Sequence, residues 1–257
     1  MEKKYTNLKK RIIPIILVKD YQVVKSRQFR DFRTFGNLEQ TINVFNNRNV
    51  DEIIILDIDA SKKQTKINLE ILSILSKNNI MPLSFGGGIN SIKDIELCLK
   101  HGCDKVVINS NCIKNINFIK EASTVFGKQC IICSIDYKFE NNKFRIYSHS
   151  KLNTEKIEIK DYIKDLVKNG AGEIILTSVG NEGMMKGFDK NLLKIIDKEL
   201  EIPILINGGC GKPNDILEVL SKDQFDAVCA SSIFFYTQFG YSDIKKFLIE
   251  NKINVRP

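Results

Sequence analysis

The chain has 257 residues, 43% of them hydrophobic and 27% charged, with a formal net charge of +8. A globular chain of this length buries a sizeable core, and its longest apolar runs, such as Ile53–Leu56 and Ile174–Leu176, are far too short to span a bilayer. Lysines alternate with acids along the chain, without a dense basic stripe, zinc-finger spacing or an aromatic RNA-binding signature, so the charge suits an anionic ligand or an acidic partner rather than nucleic acid.

The first residues, MEKKYTNLKKR, are basic but lead into no signal-peptide core, so a cytoplasmic location without a membrane partner is expected. Short runs rich in Ile and Val follow at Ile12–Val18, Ile53–Ile58, Met81–Phe85, Lys105–Asn109, Cys130–Ile135, Glu173–Thr177, Ile204–Ile206 and Ala227–Ala230. They are continuous rather than alternating, as in strands buried on both faces of a parallel sheet. Helical patterns at Leu69–Asn78, Ile92–His101, Asp161–Asn169 and Asn191–Leu200 lie between them, two of them stopped by Gly102 and Gly170. The chain has seven cysteines, an odd number, and Cys133 and Cys229 sit inside apolar runs. Buried reduced thiols are expected, with no metal and no cofactor.

An internal repeat separates a closed barrel from an open sheet. IIPIILVK at Ile12 matches IICSIDYK at Ile131, Glu52-Ile-Ile-Ile matches Glu173-Ile-Ile-Leu, and Ser84-Phe-Gly-Gly-Gly matches Leu205-Ile-Asn-Gly-Gly. Asp104-Lys-Val-Val-Ile-Asn-Ser matches Asp226-Ala-Val-Cys-Ala-Ser-Ser, and all four pairs stand about 120 residues apart. Two halves of four strand–helix units close into a single (β/α)₈ barrel domain over residues 1–257, with no linker between them.

In such a barrel the chemistry sits at the C-terminal ends of the strands. Gly86-Gly87-Gly88 ends the third run, Asn109-Ser110 the fourth, Thr177 the sixth, Gly208-Gly209 the seventh and Ser231-Ser232 the eighth. Glycine lets backbone N–H groups approach a phosphate, so these pairs predict two phosphate cups on opposite sides of the mouth. Asp136 ends the fifth run as a candidate general acid or base. Asp57 and Asp59 end the second run, and Lys25 lies in the loop after the first; each reads either as a substrate contact or as a capping or solvated charge. The repeat equivalent of Asp136 is Leu17, which cannot transfer a proton. At the opposite rim Arg11, Glu52, Lys105 and Glu173 begin or precede the first, second, fourth and sixth runs. Converging on the axis, they make either a structural plug or a gate for a small polar molecule.

The segments RIIPIILVKDYQVVKS, DEIIILDIDAS, FGGGI, GCDKVVINS, SIDYK, GAGEIILTS, GGCGK and NVRP resemble the cyclase subunit of imidazole glycerol phosphate synthase, the HisF family, from about Lys10 to Pro257. The resemblance implies a barrel docked bottom-first on a HisH-like glutaminase, with ammonia passing a gate that matches Arg11, Glu52, Lys105 and Glu173. It also implies a phosphorylated ligand at Gly87, Gly88, Asn109, Gly208, Gly209 and Ser231. The family uses two aspartates; Asp136 matches one, and Leu17 stands at the other. Further departures are Tyr21-Gln22 for Gly-Arg, Asp59 for a threonine, Ser148-His149 for a Ser-Gly type of turn, and Gly180-Asn181-Glu182-Gly183-Met184 for an Asp-rich turn. This pattern resembles a divergent branch that works with a dedicated glutaminase and a separate sugar amidotransferase to make acetamidino groups on bacterial surface-glycan sugars. That function is the main expectation. The cyclase of histidine biosynthesis and a non-catalytic scaffold for the glutaminase are the alternatives.

Overall fold

The computed structural model describes residues 9–63, 65–149, 152–197 and 200–256. Its strands are β1 (Arg11–Lys19), β2 (Gln22–Arg27), β3 (Arg30–Asn37), β4 (Ile53–Asp57), β5 (Leu83–Gly86), β6 (Lys105–Ile108), β7 (Ile131–Glu140), β8 (Lys143–Ser148), β9 (Asn153–Glu158), β10 (Glu173–Ser178), β11 (Ile204–Asn207) and β12 (Ala227–Ala230). Strands β1, β4, β5, β6, β7, β10, β11 and β12 pair in parallel in that order, and β12 pairs back onto β1. The sheet is therefore a closed eight-stranded barrel, with helices between the strands: a (β/α)₈ fold.

The continuous apolar runs follow from burial on both sides. Along β1, Ile13, Ile15 and Leu17 point into the barrel with Ile54, Val107, Ile132, Ile175, Leu205 and Cys229. Ile12, Ile16 and Val18 point outward, into the layer shared with helix residues such as Ile42, Phe45, Leu72, Ile95 and Leu248. Each such side chain contributes about 1.5–3 kcal/mol when fully buried, so neither face has room for the polar alternation of a half-exposed strand. Helix starts are set locally: Asn68 accepts from the N–H groups of Glu70 and Ile71, and Ser91 and Asp94 form a reciprocal capping box.

Two differences from the sequence reading matter for the site. The residues after the first and fifth barrel strands are antiparallel hairpins, β2–β3 and β8–β9, that extend β1 and β7 past the barrel rim. Lys25 thus lies on strand β2, not in a loop. Strand β3 carries no apolar face for a pattern search to find, being exposed along almost its whole length. The predicted Asn191–Leu200 helix is instead a 3₁₀ stretch at Lys190–Lys194, capped by Asp189. Two apolar anchors, Leu192 and Ile196, suffice to seat this short connection before Pro203. Among the described residues no helix is long and apolar enough to cross a membrane.

Candidate active site

The barrel has a charged lower rim, an apolar column and a polar upper cavity. At the lower rim the Arg11 guanidinium donates to Glu52 Oε2 at 2.9 Å and to Glu173 at 2.9 and 3.2 Å. Lys105 Nζ donates to Glu173 Oε1 at 2.7 Å and to Glu52 Oε1 at 3.3 Å. Each cation touches both carboxylates, so the four side chains close a ring of alternating sign. They converge because each is the inward-facing residue at the start of its strand. Burial favours the neutral acid at Glu173, but Arg11 and Lys105 outweigh it and hold the carboxyl below its ordinary range.

Ile13, Ile54, Ile132, Leu205, Ala227 and Cys229 fill the barrel above the ring. The Cys229 thiol is pushed up by burial first and then by Glu52, which sets the base of this column directly on the ring. All seven cysteines are free, and all but Cys130 are buried.

Above the column opens a cavity of about 450 Å³ lined by Ile15, Leu17, Asp57, Gly86–Asn90, Asn109–Asn111, Asp136, His149, Thr177, Glu182 and others. Asp136 is buried at its wall and accepts from Asn109 Nδ2 at 2.9 Å. His149 Nε2 lies 2.6 Å from the same carboxylate oxygen. Burial opposes the charged imidazole, but the hydrogen bond and charge of Asp136 prevail and raise His149 above its ordinary value. Thr177 accepts from Asn207 Nδ2 at 3.3 Å.

The predicted phosphate residues fall into two unlike groups. Gly87, Gly88, Asn109 and Ser110 line the cavity. Gly87 has φ +117°, and a Cβ there would stand 2.4 Å from the Asp57 carbonyl oxygen, so the turn requires glycine. Asn109 Oδ1 and the Ser110 hydroxyl are buried without a hydrogen-bond partner, which leaves polar atoms at this cup for a ligand. Asp57 also lines the cavity; its Oδ1 accepts from the Asp59 N–H at 3.1 Å, and burial raises its carboxyl above the ordinary range. Asp59 itself pairs with Lys63 at 2.7 Å.

Gly208, Gly209 and Ser231 do not line the cavity. The Gly187 N–H donates to the Gly209 carbonyl at 2.8 Å, and Lys25 Nζ donates to the Ser231 hydroxyl while lying 3.9 Å above the Phe235 ring. The structure thus brings Lys25 onto Ser231, one of the residues of the second predicted cup. Burial pushes Lys25 below its ordinary value, and the same burial pushes Glu182 above its own, each drawn partly back by the other's charge. The β2–β3 turn reaches across to this loop: the Gln28 N–H donates to the Glu182 carbonyl and its side chain to the Gly180 carbonyl, both at 2.8 Å.

His149 and Glu182 are among the cavity residues that spacing alone did not select. Each lay in a turn recognised only as different, and no periodicity marks a side chain that reaches the site from a rim hairpin or loop. Among the described residues no cluster of three His, Cys, Asp or Glu side chains converges as a metal site.

Comparisons with known proteins agree with the geometry. The model of the family described as "Histidine biosynthesis protein" matches residues 11–240. A Campylobacter jejuni relative, provisionally named imidazole glycerol phosphate synthase subunit hisF2, is 45% identical over 97% of this chain and 99% of its own length. Imidazole glycerol phosphate synthase subunit HisF of Bacillus subtilis is 35% identical over 96% of this chain and 99% of its own. The same-named subunit of a Dehalococcoides mccartyi strain is 35% identical over 97% and 98%.

Proposed function

The chain belongs to the histidine biosynthesis protein family, and on that premise we propose that it is the ammonia-using barrel subunit of a cytoplasmic, glutamine-dependent complex of the imidazole glycerol phosphate synthase kind. The observation that carries this reading is the stacking of three features on one axis: the Arg11–Glu52–Lys105–Glu173 ring, the apolar column and the upper cavity. Ammonia is nucleophilic only when unprotonated, and in water near neutral pH most of it is ammonium. A neutral molecule crosses an apolar column at far lower cost than an ion. The charged ring selects at the inlet, where a glutaminase docked on the lower rim releases ammonia. The ligand is anchored by a phosphate at Gly87, Gly88, Asn109 and Ser110, and Asp136 faces its reacting end.

The names of the relatives favour the cyclase reaction of histidine biosynthesis as the chemistry at the top. A second reading, amidine formation on an N-acetyl group of a bacterial surface-glycan sugar with a sugar amidotransferase as further partner, is favoured by Leu17. A cavity with an alkyl group at Leu17, lined by Gly87 and Gly88 but not by Gly208, Gly209 or Ser231, suits an acceptor other than a two-phosphate cyclase substrate. Rescue of a histidine auxotroph lacking its own cyclase separates the two. Growth when this chain and its glutaminase are expressed supports the cyclase. No growth, together with loss of the acetamidino sugar on deletion of the gene, supports the second reading.

A further inference from the structure

Leu17 removes one proton-transfer group from the cavity, and the structure provides another on the facing wall. The His149 ring lines the same cavity as Leu17 and Asp136, with 32% of its side chain exposed. Its Nε2 lies 2.6 Å from Asp136 Oδ2, the oxygen that also accepts from Asn109. Asp136 is held from two sides, and the imidazole is held as well: its centroid is 5.1 Å from Phe29 and 5.4 Å from Tyr147, edge-on to the latter. An imidazole oriented by a carboxylate through one nitrogen exchanges protons through the other. The ordinary imidazole range lies near neutral pH, where a general acid–base group works best.

We propose that His149, aligned by Asp136, is the acid–base group of this cavity and adds ammonia across a carbonyl of a phosphate-anchored ligand. The proposal rests on the ammonia reading above and names the group that performs its bond-forming step. The ammonia lone pair forms the C–N bond, and the carbonyl π pair moves to oxygen. One N–H proton passes to His149, and the imidazolium returns a proton to the oxygen. The sum is NH₃ added across C=O, with no oxidant or reductant and with the imidazole restored. Asp136 is a positioning residue in this step. Among the described residues, the titratable groups that contact the ring are Asp136 on β7 and Tyr147 on β8; Glu182, from the loop after β10, lines the same cavity, and Phe29 adds no charge.

Two measurements decide it. The chain has two histidines, so the His149 resonance is assigned by its loss in His149→Gln and followed by NMR against pH. In Asp136→Asn its midpoint should move down; an unmoved midpoint overturns the dyad. Turnover is then read on the complex of the full chain with its glutaminase, with ammonium chloride replacing glutamine. The cyclase substrate is used where the auxotroph grows and the N-acetyl sugar where it does not. His149→Gln should lower kcat by about 10²-fold or more with little change in KM. With rates expressed per free NH₃ at each pH, the wild-type rate should fall as pH drops through the His149 midpoint, and the variant should lack that limb. A His149→Gln complex with the wild-type rate, or with the same limb, overturns the role of His149 and leaves the ammonia reading intact. A wild-type complex that turns over neither substrate overturns the ammonia reading and this role with it, while the NMR titration still reports the Asp136–His149 pair.

Discussion

Leu17 and Asp136 occupy equivalent positions on β1 and β7, the first strands of the two half-barrels, and both line the same cavity. At this position one half of a nearly twofold site is thus apolar and the other acidic. The asymmetry extends outward, since His149 completes the Asp136 side, while Lys25 and Ser231 are bonded to each other behind Leu17.

An acid at the Leu17 position should not by itself create a cyclase. Leu17 is 7% exposed and packed with Ile15, Val24 and Leu56. Leu17→Asp places a carboxyl among them and should cost about 1–3 kcal/mol in urea unfolding. On the amidine reading, where the wild type does not turn over the cyclase substrate, Leu17→Asp should not gain that turnover, because the Glu182 turn and the His149 hairpin are unchanged. Cyclase turnover in Leu17→Asp over a wild type that lacks it would falsify this.

Arg11→Ala should uncouple the complex. It leaves Glu52 and Glu173 with only Lys105 between them. The cost should fall below the roughly 3–5 kcal/mol of a fully buried pair, since the Arg11 side chain is 24% exposed. The measurement is glutamine consumed per product formed. A rise in that ratio marks a gate, and an unchanged ratio with lowered stability marks a plug.

The ring should also set acid stability. Glu173 has a folded pKa below its unfolded value, so its contribution is fully present above the unfolded value and is lost as pH falls through the folded one. Urea midpoints taken from pH 6 downward should therefore drop more steeply for the wild type than for Glu173→Gln. Parallel slopes would mean that the ring does not hold Glu173 ionised.

The two cups should differ in anion binding. Gly87→Ala forces a Cβ against the Asp57 carbonyl at a φ of +117°. That clash should cost about 1–3 kcal/mol and distort the open cup. Calorimetric titration with inorganic phosphate should lose its signal in Gly87→Ala and keep it in Ser231→Ala, since Lys25 already bonds the Ser231 hydroxyl. Equal loss in both variants would show that Lys25 withdraws to admit a second phosphate.

Much of the scaffold was legible in the chain. Strands buried on both faces leave unbroken apolar runs, and the repeat of about 120 residues forces two like halves. The lower ring was legible for the same reason, since Arg11, Glu52, Lys105 and Glu173 each sit at the start of a barrel strand, where strand register alone turns them to the axis. The Asn191–Leu200 segment misled because its apolar spacing is compatible with a helix, while the structure seats it through Leu192 and Ile196 without one.

The sequence by itself determined the barrel, its charged lower rim and the pairing of Leu17 with Asp136 in the repeat, because these depend on local periodicity and on which residue ends each strand. Only the tertiary structure decided that His149 reaches Asp136, that Lys25 settles on Ser231, and that Gly87 and Gly88 line the cavity while Gly208 and Gly209 do not. Those contacts join residues 13 and 206 positions apart through hairpins that fold over the mouth, where geometry is set by cross-barrel packing rather than by spacing along the chain.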